Sequence, residues 1–231
     1  MPEPLPEHHD HLAERYEELV ASDRQPSKRV VAISGKRAAG TSTHAAHLAL
    51  KFGIEHVDNG TLQRRAAEKH GYNDVERFRE EHPDADLEVD AAKLDRAFSG
   101  EPLIAEGRLD AAALCADRGD GEPIAPVRIK IICNDEKRFK RYTKREYNIT
   151  APDGETLKQA RNEVREADQK IREIFADLYN GLNPHDDGYY THIIDNSGDY
   201  EQTHQRLVSI LENHGFKRRQ PPQDELENIT P

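Results

Sequence analysis

Nine consecutive residues, Gly35, Lys36, Arg37, Ala38, Ala39, Gly40, Thr41, Ser42 and Thr43, carry the most specific chemistry in the chain. Two glycines five apart let a backbone curl so that its N–H groups face a polyphosphate, and a helix starting at the second glycine adds positive potential. Ser42 stands where such a loop offers a hydroxyl to Mg²⁺. The pattern departs from the usual phosphate loop at one place, because Thr41 occupies the lysine position. Charge on the bound phosphates must then be balanced by another group, and Lys36 in the same loop is the nearest candidate. The bland alternative is a glycine turn capped by a hydroxyl residue. The apolar run before the loop and the helical run after it favour the phosphate site.

A second group of residues could grip an anion from the other side. Asp58, Gly60 and Arg64 follow one short apolar run, and Gly107 and Arg108 follow another. Arginines at two strand ends can together fork an oxygen cluster, which suits their planar donors better than it suits lysine. Further along, Arg138, Arg141 and Arg145 recur three to four residues apart. Arg161, Arg165, Asp168 and Arg172 form a second stripe after a Pro- and Gly-containing break. Such stripes are often only solvated, salt-bridged helix faces.

These residues need elements to hold them. Strands are expected at 29–34, 55–58, 102–105, 127–132 and 190–195. Helices are expected at 41–53, 60–70, 74–80, 86–98, 109–116, 135–147, 154–180 and 199–214. Strands separated by helical runs imply an α/β fold with a parallel five-stranded sheet and helices on both faces. Ligands in such sheets sit at the carboxyl ends of the strands, where three of the motifs fall. Residues 1–28 read as an extension with one helix near 8–22, residues 29–216 as the domain, and residues 217–231 as a flexible tail.

Composition narrows the classes further. With 231 residues the chain suits one domain. A net charge of −11 argues against a general nucleic-acid partner, though it suits a salt-adapted proteome. Arg outnumbers Lys, 21 to 12. Cys115 and Cys133 form neither a disulfide framework nor a zinc motif, and no apolar run is long enough for a membrane helix, so a cytoplasmic protein is expected. His8, His9 and His11 have no companion ligands and are not read as a metal site.

The loop GKRAAGTST, the segments HVDNGTLQRR and EEHPDADLEVD, the strand end EGRL and the later READQKIREIF together resemble the archaeal-type cytidylate kinases, over about residues 29–212. In those kinases the loop also often has threonine in the lysine place. The resemblance implies a P-loop nucleoside-monophosphate-kinase fold with a small helical acceptor-binding region near 60–100 and a helical lid near 145–172. It implies ATP and Mg²⁺ as cofactors, a small nucleotide acceptor, most readily CMP or dCMP, and a monomer or weak dimer. By motif match Arg64 and Arg108 would hold the acceptor phosphate, with Asp58 in the acidic position of an LDSG-type segment and Asn59 in place of its serine. Arg161, Arg165 and Arg172 would close over the transferring group. Arg141 or Arg145 would stack on adenine, and the loop carrying Asn196 would border it. Two rivals are a kinase of the same fold for another acceptor and a nucleotide-binding regulatory protein with little transfer activity.

Overall fold

The computed structural model describes residues 10–219 except positions 23, 25 and 83. His8, His9 and the tail from 220 onward lie outside the described residues. Five strands form one sheet: β1 (Val30–Gly35), β2 (Glu55–Asp58), β3 (Leu103–Glu106), β4 (Val127–Ile132) and β5 (His192–Asp195), in the order β2-β3-β1-β4-β5 and parallel throughout. Val30 to Ser34 are all buried, as a central parallel strand covered on both faces requires. Side-chain alternation divides this strand between two cores. Val30 and Ala32 face one, and Val31 and Ile33 face the other.

The helices are α1 (Asp10–Ala21), α2 (Thr41–Phe52), α3 (Asn59–Lys69), α4 (Val75–Glu81), α5 (Ala85–Ala97), α6 (Asp110–Ala113), α7 (Asp135–Glu146), α8 (Gly154–Leu178) and α9 (Tyr200–Asn213). Several starts are written in the sequence as side-chain caps. Asp58 accepts from Thr61 N–H, Asn134 from Lys137 N–H, Asp153 from Thr156 N–H and Asp199 from Gln202 N–H. Each such cap is worth about 1 kcal/mol.

The helix in the N-terminal extension is part of the domain. Leu12 and Leu19 of α1 are fully or nearly fully buried in the larger core. Arg15 pairs with Asp95 on α5, and the Tyr16 hydroxyl donates to the Asp117 carbonyl. The hairpin of α7 and α8 has its own small core of Phe139, Tyr142, Ala160 and Val164. The lid boundary expected at 145 thus falls inside α7, and the structural unit is the whole hairpin. Among the described residues, no helix is long and apolar enough to cross a membrane.

Candidate active site

The loop after β1 folds as its glycines require. Ala38 (φ 61°) and Gly40 (φ 97°) both adopt the left-handed conformation. For Ala38 this costs about 1–2 kcal/mol, a strain retained at the bend that turns the loop's amides inward. A Cβ on Gly35 would lie 2.6 Å from the Ile131 carbonyl and 2.7 Å from Thr41 Oγ1, so the first glycine is needed for close packing. A Cβ on Gly40 would collide with Asn196 Nδ2. Gly40 caps α2 without a side chain, so nothing from the cap occupies the first N–H groups of that helix. Those amides and the dipole behind them form an anion cradle.

Thr41, in the lysine position, is buried with its hydroxyl against Gly35. Ser42 and Thr43 are exposed at the mouth of the cradle, as is the side chain of Lys36. The Ser42 hydroxyl lies near enough to the Glu106 carboxylate at the end of β3 to favour its ionised form. Burial, reinforced by Asp110, pushes the Glu106 carboxyl up to about 7. A hydroxyl beside a half-dehydrated carboxylate is an oxygen donor pair suited to Mg²⁺, whose charge would favour the ionised form. His56 Nε2 lies 4.0 Å from Glu106, but burial holds this imidazole below its ordinary pKa. The contact is therefore with a neutral ring and is not a strong ion pair.

On the acceptor side, Arg108 leaves the end of β3 into a largely enclosed position. Its Nη1 is buried with no hydrogen-bond partner. Burial and the nearby Arg37 and Arg79 lower its pKa, while Asp168 and Glu106 act the other way. A buried guanidinium donor aimed into a cleft without a partner suits a phosphate oxygen. Arg64, one turn into α3, is exposed and donates to Thr61 Oγ1. Asp58, expected in the substrate site, spends both carboxylate oxygens on Thr61. Burial pushes its carboxyl up, but the Thr61 bonds outweigh that and hold it below the ordinary value. Its geometry is that of a helix cap.

The α7–α8 hairpin is joined to the loop by arginines. Arg141 donates to the Ala39 carbonyl at 2.9 Å and to the Asn196 carbonyl at 3.0 Å, and Asn196 Nδ2 donates to the same Ala39 carbonyl. The Arg141 guanidinium is thus a strut between the phosphate loop and the loop after β5. Arg145 is exposed, paired with Glu146 and set over the Tyr142 ring. Arg138, almost fully buried, donates to the Arg37 carbonyl, Asp135 and Asp168. Asp168, a member of the α8 stripe, has its partner across the hairpin in Arg138. Arg161 lies over the Phe139 ring, and Arg165 and Arg172 are exposed with no ion pair among the described residues. The structure thus brings Gly35–Thr43, Glu106, Arg108, Asp168 and Asn196 together at the carboxyl edge of the sheet, and leaves Arg165 and Arg172 exposed on α8.

Sequence reasoning missed Glu106, Arg79 and Lys93, and read Arg138 only as part of a helical stripe. Glu106 had a signal, since it precedes the Gly-Arg pair at a strand end. Arg79, bound to Asp86 and close enough to Arg108 to depress its pKa, had none. An apolar groove lined by Ala49, Leu50, Phe52 and Ile54 lies at the far end of α2, away from these residues.

A phosphate cradle on a β2-β3-β1-β4-β5 parallel sheet, facing arginines at the next strand ends and flanked by a helical hairpin, defines a P-loop kinase. More narrowly, the chain belongs to the cytidylate kinase-like family, whose sequence pattern matches residues 30–198. It is 34% identical over 173 residues to the cytidylate kinase of Methanopyrus kandleri, covering 73% of this chain and 84% of the relative. It is 31% identical over 170 residues to that of Pyrobaculum arsenaticum, with the same coverages. The fold is also that of a solved but uncharacterized protein from Eubacterium ventriosum, with a TM-score of 0.57 at 16% identity over 79% of this chain and 98% of the other.

Proposed function

We propose that the protein transfers the γ-phosphoryl group of ATP to CMP, or to dCMP, giving the diphosphate. The observation that carries this reading is the pairing of the loop Gly35–Thr43 with the buried, unpartnered Arg108 Nη1 at the end of the neighbouring strand. One side suits a donor polyphosphate and the other an acceptor phosphate. The family resemblance supplies the choice of pyrimidine.

The loop amides and the start of α2 hold the donor phosphates. Ser42 and Glu106 are the residues that would hold Mg²⁺, which would offset the negative charge of the phosphates. Arg108 and Arg64 aim the acceptor oxygen in line, and Lys36 swings in from its exposed position to take over the role of the absent loop lysine. Arg161, Arg165 and Arg172 reach the transferring group only if the hairpin closes, a motion that would also exclude water. Positioning and electrostatics then supply most of the rate. A soluble, cytoplasmic setting fits these substrates.

Incubation with Mg·ATP and a panel of monophosphates, following ADP release, tests the proposal. CMP and dCMP are expected to outpace AMP and GMP. Equal or faster turnover with a purine nucleotide would overturn the acceptor assignment. ATP binding with no ADP release for any acceptor would point to the regulatory alternative.

A further inference from the structure

Lys93 is a lysine in a place where lysine is rare. It is 1% exposed, on the buried face of α5. Its ammonium touches three other elements at once. It donates to Asn59 Oδ1 at the start of α3, to the Glu106 main-chain carbonyl at the end of β3 (3.3 Å), and to the Asp110 carboxylate at the start of α6. Asp110 is equally buried. Gly107, between Glu106 and Arg108, is packed directly over this joint, since a Cβ there would lie 2.5 Å from Lys93 Nζ and would collide with Asn59 Oδ1. The two arginines of the acceptor side hang from the two segments that Lys93 ties together. Arg64 is five residues beyond Asn59, and Arg108 is two beyond Glu106.

From this joint we propose that Lys93 is a positioning residue for the acceptor phosphate, fixing the separation of Arg64 and Arg108 by binding α3 and the β3 turn to one buried ammonium. A stabilising ion pair alone would not need this arrangement. Burying two charges costs several kcal/mol in desolvation, and a well-packed apolar pair is often as stable or more so. Asp110 neutralises the ammonium, and the remaining donors are spent on the two segments that carry the arginines. A shift of about 1 Å in such a grip can cost on the order of 100-fold in rate, which gives the joint a use in phosphoryl transfer.

The inference deepens the kinase reading and rests on it. Wild-type activity on the monophosphate panel is therefore measured first, and failure there would sink the function before any variant is made. Two variants then weaken the joint without leaving a lone buried charge. Asn59→Ala removes one anchor, and the double change Lys93→Met with Asp110→Leu replaces the ion pair by apolar groups. The expected result is a rise in acceptor KM of about 10- to 100-fold in both, with ATP affinity by calorimetry held within about twofold. Gly107→Ala, which wedges the joint while keeping every charge, should give the same split. Unchanged acceptor KM in folded variants would overturn the proposal. An equal loss of ATP and acceptor affinity would also overturn it, because that marks general loosening. If the double variant does not fold, Asn59→Ala and Gly107→Ala decide on the same terms.

Discussion

Arg108 and Lys36 differ in how firmly the fold holds them, and their substitutions should differ accordingly. Arg108 is enclosed, with one donor nitrogen buried and unpartnered. Arg108→Ala is expected to lower transfer by several orders of magnitude while leaving ATP binding almost intact. Separate titrations of ATP and acceptor check this, and a collapse of ATP affinity would reverse the assignment of the two sides. Lys36 is exposed on the loop and reaches phosphate only by folding inward. Losing that charge-assisted contact should cost about 1–3 kcal/mol, or roughly 5- to 150-fold in kcat/KM for Lys36→Ala. A silent Lys36→Ala beside a severe Arg165→Ala or Arg172→Ala would mean that the hairpin supplies the charge alone. Glu106 offers a third contrast. Glu106→Gln keeps the shape and the Ser42 contact but removes the anionic oxygen, so the Mg²⁺ concentration needed for half-maximal rate should rise about tenfold or more.

The hairpin of α7 and α8 shows what the sequence revealed about elements and what it hid. The strand runs and the βα alternation are local signals, and they place nearly every element within a few residues. The five-stranded parallel sheet follows from them. Partners across elements are not local. The spacing of Arg161, Arg165, Asp168 and Arg172 is a stripe on one helix, but Asp168 bonds Arg138 on the neighbouring helix. Arg141 likewise binds two carbonyls far away in sequence, those of Ala39 and Asn196. Lys93 looks like a surface lysine in the run AAKLDRAF until α5 is packed against the sheet. Arg138 connects hairpin and phosphate loop through the Arg37 carbonyl. Arg138→Ala is therefore expected to reduce kcat by about 10- to 100-fold, because it misplaces the loop against the hairpin. Steady-state kinetics beside a thermal melt checks this. A melting point that drops with kcat unchanged would reduce Arg138 to a packing residue.

At the scale of the whole molecule, the buried charge of the domain makes its stability depend on pH. Asp90 on α5 is 4% exposed and accepts from the Tyr179 hydroxyl. Burial pushes its carboxyl up to about 7 against the pull of Lys93. A carboxyl whose pKa is raised on folding contributes stability that is fully present below its unfolded value and is lost as pH rises through the folded one. Asp90 should thus contribute a loss of stability between about pH 4 and pH 7, with Glu106 acting in the same sense, while the buried His44 and His185, held down to about 4, act in the opposite sense. Asp90→Asn, which mimics the neutral acid, should flatten this slope in denaturant titrations across that range. An unchanged slope would show that Asp90 is ionised throughout. The central claim, that cradle and arginines work together as a phosphotransferase, is tested most directly by the fate of the phosphoryl group. The protein is mixed with ATP labelled at the γ-phosphate, Mg²⁺ and CMP in a single turnover, and the products are separated. The account predicts label in the β-phosphate of CDP, with little inorganic phosphate and almost no CDP from Arg108→Ala. Label appearing only as inorganic phosphate, or a full yield of CDP from Arg108→Ala, would contradict it.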